Sequence, residues 1–423
     1  MRNLNLVLCG MALLATGVLA QSLPTATLTA SDPVLGGQLG YSVAISGSTV
    51  AAAGPGKVYV FSKPSAAPWT DMTESAQLLA AASAVAINGD ASVIVAGAPG
   101  VGEFGTVYVF VRPDSGWHGT ISPVATLTPG PPPKSWVLRG TVGGSVAINS
   151  KGDTIVGGAY NAGTQGHLSN HVGVAGIPQQ GAAYVWAEPA GGWAKADGAP
   201  ETAKLTASDG VAYDLFGTSV GIAVNTVAIG APADKSGAST GSGSVYIFTR
   251  PATGTWATPT SFKAKLQSAD EKALDGFGSS IAVGNSGALV VAGSGRGCGA
   301  GAVGDSYVFV RPSTGWPKTM TQTAELSPSD SMTTCFGLSV SFGSNQVVVG
   351  APAASNGIGD AYIFSKPSKG WSNMSIPVSV VGGSGSSVFG RSSSVSGRTT
   401  AVGSPGTTVQ GKPSAGAVYL FGN

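Results

Sequence analysis

The sequence predicts an all-β chain closed into a seven-bladed β-propeller of four-stranded antiparallel blades. Three observations carry this expectation. A unit of four short strands recurs along the chain. A tyrosine marks the third strand of every unit, at Tyr59, Tyr108, Tyr184, Tyr246, Tyr307, Tyr362 and Tyr419. The two chain ends each hold an incomplete unit, and each supplies what the other lacks.

The fullest unit opens with "AKLTASD" (Ala203–Asp209) and runs through "FGTSVGI", "TVAIGAP" and "GSVYIFTRP" (Gly243–Pro251) to Trp256. The next opens with "AKLQSAD" (Ala264–Asp270) and ends at Trp316, and another runs from "AELSPSD" to Trp371. Weaker copies start at Leu39, Ser83, Gly143 and Phe389. The runs alternate with period two or are β-branched, and Gly, Pro, Asn and Ser separate them, which is strand-and-turn patterning. No stretch carries a helical stripe. Four short strands in units of this size are propeller blades. We call the strands A (after FG), B (ending at GAP), C (around Tyr) and D (Trp to Thr-Ala-Ser-Asp). The chain opens on a lone D strand, "ATLTASD" (Ala26–Asp32), and its last copy stops after strand C at Phe421. Pairing the two closes the ring and removes the open sheet edges that invite aggregation.

Composition agrees. Only 10% of residues are charged, hydrophobic residues reach 43% and there are 65 glycines. That apolar content argues against disorder. The net charge of +2 includes no basic run, so neither nucleic acid nor an anionic membrane surface is an expected partner. Residues 1–20 read as an export signal. Arg2 precedes the apolar "LVLCGMALLATGVLA", and Val18 and Ala20 stand at −3 and −1 of a cut before Gln21. The propeller then spans residues 21–423 of a secreted, extracellular or periplasmic chain with no membrane span after signal removal. The mature chain keeps Cys298 and Cys335, one in a B–C loop and one in a D–A connection. Both loop types emerge on one face of a propeller, so a disulfide is expected in an oxidising compartment.

The pattern "FG…GAP…G-x-x-Y-x-F" resembles the FG-GAP repeat of integrin α-chain headpieces, and more closely bacterial secreted proteins composed of such repeats. The resemblance covers essentially the whole mature chain. It implies a seven-bladed propeller and extracellular recognition or adhesion. The family's calcium loop lies between FG and GAP as D-x-D-x-D-G-x-x-D. Here that place holds "ISGSTV", "INGDASV", "INSKGDTIV", "AVNTVAI", "AVGNSGALV", "SFGSNQVVV" and "SVSGRTTAV", none with more than one Asp. Calcium takes six to eight oxygen ligands, so no metal and no cofactor is expected in these hairpins.

Physical readings follow for the repeat's own residues. Small strand A residues such as Gly217, Ser219 and Gly221 let blades approach at the channel. Phe216, Phe277, Phe336 and Phe389 wedge between blades. Gly230 and Pro232 end strand B, through unusual φ and a ladder stop. The strand C aromatics and the Trp before strand D pack between sheets. A ring of exposed tryptophans would instead offer sugar-stacking platforms.

Asp32, Asp209, Asp270 and Asp330 recur at the end of strand D. A carboxylate pair could serve a glycosidase, but repetition favours a turn-closing role. Asp209 with Asp214, and Asp270 with Glu271 and Asp275, form acidic loops able to hold a cation weakly. His167 and His171 stand four apart in a Gly-rich loop with no third ligand nearby. There is no G-x-S-x-G, no H-E-x-x-H, no phosphate loop and no Cys–His motif, and no catalytic residue is assigned.

Two connections are much longer than their counterparts: Pro129–Gly144 between strands D and A, and Asn161–Gly181 between strands B and C of the third blade. Function is commonly added to a scaffold in such loops. They carry Trp136, Arg139, Gln165, His167, Asn170 and His171, one aromatic anchor with polar groups, the expected ligand site. The expected protein is therefore a monomeric, non-enzymatic recognition module for an extracellular macromolecule or glycan. A glycan hydrolase or lyase, or a structural envelope component, is the alternative.

Overall fold

The computed structural model describes residues 22–54, 56–64, 66–130, 142–163, 167–169, 172–174, 179–235, 241–251, 254–259, 261–270, 275–295, 303–328, 335–382 and 388–422. It forms a ring of seven antiparallel blades whose strands follow the order A-B-C-D from the central channel outward. In blade 4 these are Ser219–Ala223, Thr226–Ala231, Ser244–Thr249 and Ala264–Gln267. Blade 7 takes Ser392–Ser396, Thr399–Ser404 and Ala417–Gly422 from the C-terminus and Ala26–Thr29 from the N-terminus. The seam is antiparallel, with Ala26 opposite Leu420, Thr27 opposite Tyr419 and Leu28 opposite Val418. This is the closure the leftover strands require. Among the described residues the helical content is one four-residue α-turn, Ala354–Gly357, one 3₁₀ turn, Trp193–Ala196, and a 3₁₀ position at Gly295.

Phe216 shows why FG and Y-x-F recur together. Its ring meets Tyr246 at 5.5 Å and Phe248 at 6.1 Å, both edge-on. The same buried cluster holds Val185 and Leu205 of blade 3, so Phe216 wedges between blades. Phe277, Phe336 and Phe389 repeat the contact with their own Tyr and Phe. Blade 3 has the smaller Val142 at this place and the larger Trp186 in strand C, and both lie in one buried cluster. Volume lost at one position is recovered at the other, as close packing requires.

Strand B ends at Ala231, between Gly230 and Pro232, but Gly230 carries no positive φ and is there for another reason. A Cβ there would stand 1.9 Å from the carbonyl oxygen of Gly278, the FG glycine of the next blade. Gly158, Gly293, Gly350 and Gly403 meet the next blade's FG carbonyl in the same way. The FG glycines carry the unusual backbone instead, with φ of 91° at Gly217 and 88° at Gly278. Serines staple the same junction: Ser145, Ser219, Ser280, Ser339 and Ser392 each donate to the FG carbonyl of the following blade at 2.7–3.0 Å.

The outer D strands are covered as well. The C–D connection of each blade reaches back to the D strand of the preceding one. Gly119–Ile121 adds a short parallel strand to blade 1, Thr319–Thr321 to blade 4 and Met72–Thr73 to blade 7. Elsewhere a side chain does the work: Asp197 accepts from the Thr126 N–H at 2.8 Å and Asn373 from the Glu325 N–H at 2.9 Å. On blade 6, whose neighbour's C–D connection is interrupted by the chain ends, Ser22 supplies the contact by bridging to Val381. Edge N–H groups that could recruit another strand are thereby engaged.

Candidate functional site

The residue after each FG pair, or after its counterpart Leu39-Gly40, Ala81-Ala82 or Val142-Gly143, faces the upper end of the channel. In six blades the positive φ of the glycine turns the chain there, blade 2 having Ala82 instead, and the following strand A carries the next residue down the channel wall. Seven such positions make a ring: Tyr41, Ser83, Gly144, Thr218, Ser279, Leu338 and Arg391. All seven line a cavity of about 510 Å³ at the mouth. Leu215, Tyr160 and Pro232 complete its upper wall. Tyr160 occupies the place of the GAP proline, because blade 3 reads Gly-Ala-Tyr where blade 4 reads Gly-Ala-Pro.

Arg391 supplies the mouth's one charged side chain among the described residues. Its Nη2 donates to the Tyr41 hydroxyl at 2.7 Å, and its guanidinium carbon lies 4.4 Å from the Tyr41 ring centroid. Blades 7 and 1 thus meet at a guanidinium held by an aromatic face. No described carboxylate forms an ion pair with it. The Ser83 and Tyr160 hydroxyls make no hydrogen bond among the described residues. The Thr218 hydroxyl donates to the Leu215 carbonyl at 2.8 Å and keeps its lone pairs free for a ligand donor.

The lower end of the channel differs. A cavity of about 350 Å³ is lined by the A–B turns, with Asn88, Ser150, Asn285 and Ser344 among its neutral polar groups. A third cavity, about 570 Å³, lies outside the channel between blades 5 and 6, over Phe342 and Trp371 with Lys366 and Lys369 at its rim.

Trp136, Arg139, Gln165, Asn170 and His171 lie outside the described residues. For His167 the backbone is described: His167–Ser169 pairs antiparallel with Val172–Val174, a hairpin the Gly-rich sequence does not suggest. Gly144, the last residue of the first long connection, and Tyr160, just before the second, line the mouth. Their neighbours are separate. Val142 bridges to Gly105 of blade 2, while Gly181 bridges to Phe216 at the start of blade 4. Cys335 is buried in the connection into blade 6, and Cys298 lies outside the described residues.

The recurring D-strand aspartates reach across to the next blade. The Tyr59 hydroxyl donates to Asp32 at 3.0 Å, and the Tyr307 hydroxyl to Asp270 at 3.2 Å. In blade 4 the Lys265 ammonium stands 3.0 Å from Asp209 and 2.7 Å from Asp234, and Tyr246 donates to Asp234. A cation therefore already occupies that acidic loop: it is the protein's own lysine. Burial pushes the Asp214 carboxyl up to about 6, opposed by the Val211 N–H and reinforced by Asp234. In blade 5 Asp270, Asp305 and Glu325 bring carboxylate oxygens within 4.8 Å of one another. Blade 2 ends its D strand in "TLTPG" without an aspartate, and the buried Tyr184 hydroxyl of blade 3 has no acceptor among the described residues. Asp330 lies outside the described residues.

The tryptophans before strand D are buried: Trp69, Trp117, Trp193, Trp256, Trp316 and Trp371 are all at most 8% exposed. They pack sheets and form no exposed stacking ring. In the A–B turns, Asp90 accepts from the Ser92 N–H and the Asn88 amide. Asp153 engages Asn149 and Lys151. The single carboxylates of these turns are thus held by local donors. No helix among the described residues is long and apolar enough to cross a membrane.

A closed ring of repeated four-stranded blades with its cavity at the channel mouth defines a repeat propeller. Two stretches of the chain, residues 200–248 and 320–364, match the FG-GAP repeat family. Each match runs from the D strand of one blade through strands A, B and C of the next, the same frame in which the ring closes. No curated protein matches the sequence.

Proposed function

We propose that this protein is an exported, monomeric and non-enzymatic recognition module that takes a macromolecule or glycan at the upper mouth of its channel. The observation that carries the reading is the mouth itself. The repeat holds its packing residues nearly constant, yet the seven ring positions differ from blade to blade and include Tyr41 and Arg391. Packing does not demand this variety; a ligand does. A hydrolase would place a carboxylate pair at the mouth, whereas the described lining offers a guanidinium, hydroxyls and apolar side chains. Export and a Cys298–Cys335 bridge belong to the same reading, which the leader and the burial of Cys335 support.

The test is a glycan and matrix-protein array probed with the mature chain and with Ser83→Trp, which fills the mouth. Binding by the mature chain that Ser83→Trp abolishes at unchanged melting temperature supports the reading. Binding that survives the substitution places the site elsewhere, and hydrolysis of an array glycan overturns the non-enzymatic assignment. For the bridge, thiol labelling of the unfolded, unreduced mature chain is expected to modify no cysteine; two modified cysteines refute it.

A further inference from the structure

We propose that the mouth recognises an acidic sugar, a uronate residue of a polysaccharide whose carboxylate pairs with Arg391; this rests on the mouth being the binding site. The guanidinium carries five N–H donors in a planar fork suited to a carboxylate. One of them is spent on Tyr41, and no described acid takes the rest. The Tyr41 contact fixes the fork before any ligand arrives, so little side-chain entropy is lost on binding. Because the described lining carries no carboxylate, nothing there repels an anion or competes for the guanidinium.

The rest of the lining points to a sugar. Ser83 and Tyr160 present hydroxyls with no hydrogen bond among the described residues, and Thr218 retains acceptor capacity, which matches the ring of hydroxyls on a pyranose. Leu215 and Leu338 add apolar surface for its C–H faces. A cavity of about 510 Å³ falls in the range of small-ligand sites and accommodates roughly one or two such rings.

Calorimetric titration of the mature chain with a galacturonate disaccharide, its methyl ester and triglutamate tests this. The acid is expected to bind at least about tenfold more tightly than the ester, and Arg391→Gln to lose at least about tenfold toward the acid and erase the distinction, since a charge-assisted pair contributes that much. The contrast between acid and ester on the unsubstituted chain stands even if Arg391→Gln does not fold. Equal binding of acid and ester, abolished by Ser83→Trp, overturns the acidic class but keeps the mouth. Acid binding that survives Ser83→Trp overturns the mouth. Tighter binding of triglutamate overturns the sugar, and no binding by any probe at millimolar concentration overturns the proposal.

Discussion

At the scale of the residue, two positions show how little room the ring leaves. A methyl group at Gly230 would overlap the Gly278 carbonyl of the next blade, and backbone cannot swing away as a side-chain tip can. Gly230→Ala is therefore expected to cost about 2–4 kcal/mol in urea unfolding. Gly100→Ala, where a Cβ meets nothing within 4 Å, is expected to be nearly neutral. Asp214 is buried, 1% exposed, with its carboxyl raised to about 6. A raised acid takes up a proton on folding, so its contribution is present below about pH 4, the unfolded value, and is lost as pH rises through about 6. Asp214→Asn removes the ionised form while keeping an acceptor for the Val211 N–H. It is expected to stabilise the protein by about 1–3 kcal/mol at pH 7.5 and by almost nothing at pH 4. Equal effects at the two pH values would refute that account.

At the scale of the element, the four strands divide the work. Strand A presents small residues to its neighbours: a Cβ on Gly221 would lie 2.8 Å from Val283 of the next blade. Strand C carries the aromatics, and strand D is the edge that the next blade must cover. Asp71 covers the D strand at the seam by accepting the Thr27 N–H at 2.7 Å. Asp71→Ala leaves that amide to solvent. Hydrogen exchange at Thr27 is expected to accelerate by about fivefold to tenfold, as befits a bond with a net contribution near 1 kcal/mol. The Thr126 amide, held by Asp197 on blade 2, serves as the internal control and should not change.

At the scale of the whole molecule, closure by one short strand concentrates risk at the seam. Ala26 and Leu28 are buried against blade 7, and without them strand C of that blade becomes a free edge. A chain starting at Val34 is expected to melt more than about 10 °C lower and to aggregate on heating, because the ring loses both its last pairing and a buried apolar layer. Analytical ultracentrifugation before and after heating reads the outcome. An unchanged monomer would show that the ring holds without its seam. The Arg391–Tyr41 contact joins blade 7 to blade 1, so loosening of blade 7 in the truncated chain should also weaken binding at the mouth.

The blade count, the strand order, the wedging phenylalanines and the closure were legible in the sequence, because each follows from a period or from an unmatched end. The junction chemistry was less so. The GAP glycine marks the end of strand B in the sequence, but the next blade's carbonyl packed against it shows only in the fold, and so does the bond that Tyr59 donates to Asp32. Blade-to-blade departures from the repeat at Tyr41, Tyr160 and Arg391 were visible, but they lie in three separate copies with no motif to join them. Tyr41 and Arg391 are 350 residues apart. A repeat sequence specifies what every blade shares, since local pattern and nearest-neighbour packing suffice for that. Only ring closure brings the residue after each FG to a common axis, and so only the tertiary structure decided which of them form a site.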